Sequence, residues 1–175
     1  GADGQTLVGN LTYALSADHK TLEIALPKSL LGAAVTSVDI LADVNNSVFL
    51  PGDYTQPAYR IADLTVIPTG PYDGLLTEWT QAQRLDTDAN GVAGYEVYGK
   101  VSNDSFVFGV KSAVAIGANS TFWLNTDNNT ATGYQIWGWA GGAEYNVNIG
   151  NDGVARLYSG ADGQTLVGNI NYAIA

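Results

Sequence analysis

The chain has 175 residues, with 17 Asp and Glu against 7 Lys and Arg, a net charge of −10, one His, no Cys and no Met. A chain this acidic, with its cations scattered singly, would repel a phosphate backbone, so nucleic-acid binding is not its expected role. The lack of Cys excludes a disulfide framework and thiol chemistry, and no apolar run approaches the ~20 residues of a membrane helix.

Strand signals dominate in chain order. Residues 11–15 read as one arm of a hairpin that turns at Asp18 and His19. Its other arm, residues 21–26 (TLEIAL), alternates, with Leu22, Ile24 and Leu26 on one face. Residues 27–31 can make one helical turn that Gly32 stops. Residues 38–42 form a short apolar strand. Residues 96–101 and 105–111 flank Ser102-Asn103-Asp104 as a hairpin, with Phe106, Phe108 and Val110 sharing a face. Strands follow at 121–124, 134–139, 144–149 and 155–158, with a turn at Asn151-Asp152-Gly153. Helix is scarce, and the many short strands predict an all-β, antiparallel β-sandwich.

The beginning of the chain recurs at its end. GADGQTLVGN occupies residues 1–10 and again 160–169, followed by LTYALS and INYAIA respectively. Self-similarity at a fixed offset marks a repeat array. The VIPTGP stretch, residues 66–71, has the composition of a linker. On this reading residues 1–66 are the C-terminal half of a repeat module and 67–71 the inter-module linker. Residues 72–175 are then the N-terminal part of the next module, with 160–175 duplicating 1–16. The chain is one repeat unit seen out of frame, a window on a longer tandem protein. A sandwich is expected to have one slot for the duplicated strand, since register is fixed by the buried face. One copy would fill it, and the other would stay unpaired or fill the same slot in a neighbouring copy.

Put in natural order, the pieces resemble a known family. Asp73-Gly74 followed by Trp79, the 105–108 strand (SFVF) after Asn103-Asp104, and residues 122–134 (FWLNTDNNTATGY) then Gly142-Ala143-Glu144-Tyr145 carry the resemblance. So do residues 21–32 (TLEIALPKSLLG). Together they are similar to family-nine carbohydrate-binding modules and the related DOMON-like sandwiches. The resemblance implies a jelly-roll-like sandwich, often with structural calcium and sugar binding, in secreted bacterial proteins. The tandem arrangement looks more like giant bacterial surface proteins than like an accessory module of a polysaccharidase.

Two acidic loops are candidate Ca²⁺ sites. Asn125, Asp127 and Asn129 place oxygen side chains at alternate positions, and Asp86, Asp88 and Asn90 do the same before Gly91. Calcium takes six to eight oxygens, and such a loop supplies several from one segment. Neither loop carries the Glu that completes an EF-hand, so a distant carboxylate is required, and Glu144 is the candidate for the first. The same residue types also make ordinary turns by bonding their own backbone.

Trp137 and Trp139, two apart, would share a face of a strand and present rings for a sugar, or else fill the core. Trp123 lies on the face opposite Phe122 and Leu124. Catalysis finds no motif. There is no G-x-S-x-G, P-loop, HExxH or zinc spacing, and no spacing singles out a carboxylate pair. The sequence therefore points to a non-enzymatic structural or adhesive module, secreted or on the cell surface, whose partners are neighbouring copies of itself. The alternative is a carbohydrate-binding module that grips a polysaccharide through surface aromatics.

Overall fold

The computed structural model describes residues 9–52, 56–62, 66–67, 72–86, 90–136, 139–159 and 165–174, by backbone alone at 9–11, 66–67, 136, 139–140 and 165–174. Alternating apolar residues between Asn-, Asp- and Gly-bearing turns give a chain of short strands. In order they are β1 (Gly9–Leu15), β2 (Thr21–Pro27), β3 (Ser37–Val44), β4 (Val48–Leu50), β5 (Tyr59–Ala62), β6 (Val66–Ile67), β7 (Glu96–Ser102) and β8 (Ser105–Lys111). There follow β9 (Thr121–Asn125), β10 (Tyr134–Ile136), β11 (Trp139–Ala143), β12 (Tyr145–Ile149), β13 (Ala155–Ser159) and β14 (Thr165–Ile174). Helix among the described residues is limited to α1 (Lys28–Leu31) and a 3-10 turn at Gln81–Gln83. Gly32 ends α1 with φ 104°.

One sheet runs in the order β4-β3-β9-β12-β13-β14-β1-β2-β8-β7-β6, with β5 also paired to β3; β10 and β11 form a separate hairpin. The sheet folds over on itself into two layers. The Phe108 ring on β8 meets Phe122 on β9 at 5.2 Å between centroids, and Gly99 of β7 lies against Ile61 of β5. The space between the layers is filled by Leu22, Ile24, Leu26, Phe106, Phe108, Val110, Phe122, Leu124 and Val147, all buried. This is the all-β, sandwich-like architecture expected from the strand pattern.

Most predicted turns fall where expected. β1 and β2 form an antiparallel hairpin, with His19 in its turn at φ 60°. β7 and β8 close over Ser102 to Ser105, where the Ser102 hydroxyl donates to Asp104 and accepts the Ser105 N–H. β12 and β13 turn through Gly153, at φ 74°.

Two expectations are corrected. Residues 134–139 are not one strand. β10 ends at Ile136 and β11 returns from Trp139, which pairs with Ile136. The chain reverses between Ile136 and Trp139, so period-two logic does not run through this stretch. Trp137 itself lies outside the described residues.

The single-slot expectation also fails. β14 and β1, the two copies of the duplicated segment, lie side by side in parallel, from Gly9↔Gly168 to Leu15↔Ile174. β13 pairs with β14 on one flank and β2 with β1 on the other. The paired stretches share four of their seven residues, and at zero offset the sheet takes the second copy as one more strand.

The halves on either side of the expected linker interleave, through β2 with β8 and β3 with β9. Val66 and Ile67 pair in parallel with Val101 and Ser102 of β7, so the first linker residue belongs to β6; residues 68–71 are outside the described residues.

Phe122 is fully buried between the layers. Its truncation removes an aromatic ring and leaves a cavity, at a cost of about 3–5 kcal/mol. Urea denaturation of Phe122→Ala should show that loss, whereas Thr12→Ala, on the exposed side of β1, should stay within about 0.5 kcal/mol of the parent.

Candidate functional site

β2 presents its second face to a covering segment, and this builds a closely bonded polar group. Glu23 stands between core residues Leu22 and Ile24, so it points to the outer side of the sheet. Residues 72–79 cross that side and bury it completely. One Glu23 oxygen accepts the backbone N–H of Asp73 (3.1 Å) and of Gly74 (3.0 Å). The other accepts the Trp79 indole N–H at 2.7 Å. Gly74 has φ 76°, and a Cβ there would fall 2.6 Å from the Leu15 carbonyl carbon. Only glycine allows the covering segment to come this close to the β1–β2 turn.

Trp79 packs on Tyr98, with centroids 5.7 Å apart, and the Lys100 ammonium sits 3.9 Å above its ring. Burial pushes the Glu23 carboxyl up to about 7, and the nearby Glu78 adds to the rise against the opposing N–H donors of Trp79 and Gly74. Burial lowers the Lys100 pKa, while Glu78 and Glu23 work against that fall.

One carboxylate oxygen each from Glu23, Asp73 and Glu78 lies within 4.8 Å of the others, a cluster that could hold a metal ion. Nothing in this donor set identifies the ion. The sequence reading did not single out these residues. The available signal was a lone acid between two core positions of TLEIAL, with the Asp73-Gly74 and Trp79 motif elsewhere in the chain.

The first predicted loop begins where β9 ends. Asn125 accepts the Asp127 N–H and donates its amide to the Gly141 carbonyl. Asp127 accepts the Asn129 N–H at 2.8 Å and the Thr132 hydroxyl at 2.8 Å, and Asn129 accepts the Ala131 N–H. These are successive side-chain-to-backbone turns.

Glu144, from the bend before β12, reaches this loop. One of its oxygens accepts the Thr126 N–H at 2.8 Å and the Thr126 hydroxyl at 3.3 Å. Its other oxygen, Oε1, is buried with no hydrogen-bond partner. It faces Gly133, where a Cβ would lie 2.6 Å from it. Burial raises the Glu144 pKa, and the Asp127 charge adds to the rise against the Thr126 N–H. The group borders a cleft of about 700 Å³ that Leu31, Val35, Asp127 and Tyr145 also line.

The second loop is organised differently. Asp86 is buried, takes both guanidinium donors of Arg84 and accepts the Val97 N–H at 2.7 Å. Asp88 lies outside the described residues, and the Asn90 carbonyl accepts the Tyr59 hydroxyl. Asp86 is thus a partner of Arg84 and β7.

Of the aromatic candidates, Trp139 opens β11 and is described by backbone alone. Trp123 stands on the outer face of β9, stacked on Tyr134 at 4.9 Å with 26° between the ring planes. Leu41, Ala143 and Phe49 pack around that pair. The one His, His19, is in the β1–β2 turn. No helix among the described residues is long and apolar enough to cross a membrane.

No family model matches this sequence, and no curated protein or solved structure is detectably similar to it. The resemblance to family-nine carbohydrate-binding modules rests on the motifs quoted above.

The raised carboxyls set a pH dependence. Glu23 titrates near 7 and Asp43, buried at the end of β3, near 6 in the folded chain, both above the ordinary carboxylate range. Between about pH 4.5 and 7 the folded state therefore holds more protons than the unfolded chain, and stability falls as pH rises. Asp152 and Glu96 are shifted the opposite way by Arg156 and Lys111, and their contribution is lost only on further acidification. Thermal unfolding should give a lower Tm at pH 7.5 than at pH 5. Glu23→Gln should flatten that slope, and equal slopes in parent and variant would refute the assignment to Glu23.

Proposed function

We propose that this chain is a non-catalytic structural or adhesive module of a bacterial tandem-repeat protein, secreted or on the cell surface, that associates with copies of itself. The observation that carries the reading is the exact internal duplication of residues 1–10 at 160–169, both copies of which feed strands of one sheet. Each end of the described fold thus bears the same structural element, which suits a unit joined to further units. The cell-surface setting is carried over from the resemblance.

A non-catalytic role is supported by the state of the acids. Glu23, whose pKa is strongly raised, is fully buried and held by three N–H donors, beyond the reach of a substrate. Analytical ultracentrifugation and electron microscopy test the reading directly. The chain should form larger species as concentration rises, and a strict monomer at every concentration would overturn it.

We propose Ca²⁺ as a stabilising ion at the loop of Asn125, Asp127 and Asn129 with Glu144. The support is an all-oxygen donor set, suited to a hard cation, and the buried, unpartnered Glu144 Oε1. A ligand that binds only the folded state raises its stability by mass action. Calcium should therefore raise Tm and EDTA reverse the rise, with the increment lost in Asp127→Ala and kept in Glu23→Gln. The opposite pattern would move the ion to the Glu23, Asp73 and Glu78 cluster, and no response to calcium would remove it altogether.

The carbohydrate-binding reading is favoured by one observation, the stacked Trp123 and Tyr134 on the outer face of β9. Pull-down on insoluble polysaccharides should then retain the parent chain and release Trp123→Ala.

A further inference from the structure

The seam between β14 and β1 differs from its neighbours in the sheet. On one side β13 and β14 are antiparallel, and on the other β1 and β2 are antiparallel. The seam itself is parallel, and residue meets repeat residue: Gly9 with Gly168, Asn10 with Asn169, Tyr13 with Tyr172 and Ala14 with Ala173. Parallel pairs are slightly the weaker kind per residue.

Opening this seam would expose two rows of backbone N–H and C=O groups, one on β14 and one on β1. The two rows are complementary in the same register whether they belong to one chain or to two, because everything that sets the register is carried within each row. A side-chain bond crosses the seam as well. The Tyr13 hydroxyl donates to the Gly153 carbonyl in the β12–β13 turn.

We propose that the β14 edge of one copy pairs with the β1 edge of a second copy in this same parallel register, joining chains head to tail. This deepens the self-association reading and rests on it. The bond from Tyr13 then passes to the Gly153 carbonyl of the neighbouring copy. The two edges are different surfaces, so the contact is heterologous. A heterologous contact leaves a free edge at each end and grows a filament unless its rotation closes a ring. Closure within one chain and joining between chains use the same pairs, so concentration decides between them.

The test uses the absence of Cys from the chain. Thr12 and Asn171 are opposite each other across the seam. A Thr12→Cys, Asn171→Cys chain is oxidised at increasing concentration and read on a non-reducing gel. The expected result is a bridged monomer at low concentration that gives way to a ladder of bridged dimers, trimers and longer species. A bridged monomer at every concentration overturns the seam contact. If the unmodified chain still assembles in the ultracentrifuge, that outcome removes this route and leaves self-association standing.

A second measurement needs no variant to fold. A synthetic peptide of residues 160–175 is added in excess to the unmodified chain at an assembling concentration. It should cap the β1 edge and suppress assembly several-fold relative to a scrambled peptide. Equal assembly with the two peptides overturns the proposal.

Discussion

The ladder between β2 and β8 holds the two halves of the chain in one sheet, through unbroken antiparallel pairing from Thr21↔Lys111 to Pro27↔Ser105. Its inner side supplies Leu22, Ile24 and Leu26 against Phe106, Phe108 and Val110, the centre of the apolar core. Its outer side supplies Glu23, which fastens the segment 72–79 across the sheet. β1 and β14 extend the sheet from the free edge of β2, and β7 and β6 extend it from β8. Breaking this ladder would split the sheet at its centre and uncover the carboxyl at the same time. Because it joins residues so distant in sequence, loop closure must precede its reward, which places the fold among topologies that form slowly.

The interior acids explain how so acidic a chain can fold. An ionised carboxyl taken out of water is costly unless it is paired or bonded, and cations are scarce here. The chain bonds its buried acids chiefly to N–H groups: Glu23 to Asp73, Gly74 and Trp79, Asp86 to Val97 with Arg84 added, and Glu144 to Thr126. Other cations sit in exposed pairs, Arg60 with Asp39 and Lys111 with Glu96. Pairs of that kind contribute about 0–1 kcal/mol. The interior acids are therefore anchors fixed by backbone placement. Burial raises the carboxyl pKa at Glu144 and Asp43, each with one oxygen lacking a partner, and at the fully bonded Glu23 as well.

The hairpins and the inward faces of β2, β8 and β9 were legible in the sequence because each depends on local pattern alone. A turn residue at Ser102-Asn103-Asp104 or Asn151-Asp152-Gly153 and the alternation beside it determine the local outcome. Glu144 lies beside the 125–129 loop, where its hydrogen bonds are to Thr126. Other features depend on what lies opposite in space. Glu23 reads as an ordinary outward acid until residues 72–79 are laid over it. Asp86 reads as a loop acid until Arg84 and Val97 are brought to it. The run 134–139 reads as one strand, since nothing in its apolar pattern announces the reversal between Ile136 and Trp139.

The duplicated strand is the place where identity of sequence and geometry of the sheet constrain each other. A shift of one residue between β1 and β14 would turn the inward set of one copy outward. A shift of two would keep the faces but set Tyr13 opposite Ile170 or Ile174 in place of Tyr172, and would lose the match of repeat residue with repeat residue. Zero offset alone keeps the pairing of repeats from Gly9 to Leu15. The flanking hairpins accept it because β13 and β2 already run antiparallel to that direction. β14 keeps β13 as its outer partner and β1 keeps β2, so each copy brings its own antiparallel flank and the two meet only at the parallel seam. A sheet that takes two equivalent strands side by side in this way accommodates its own repeat.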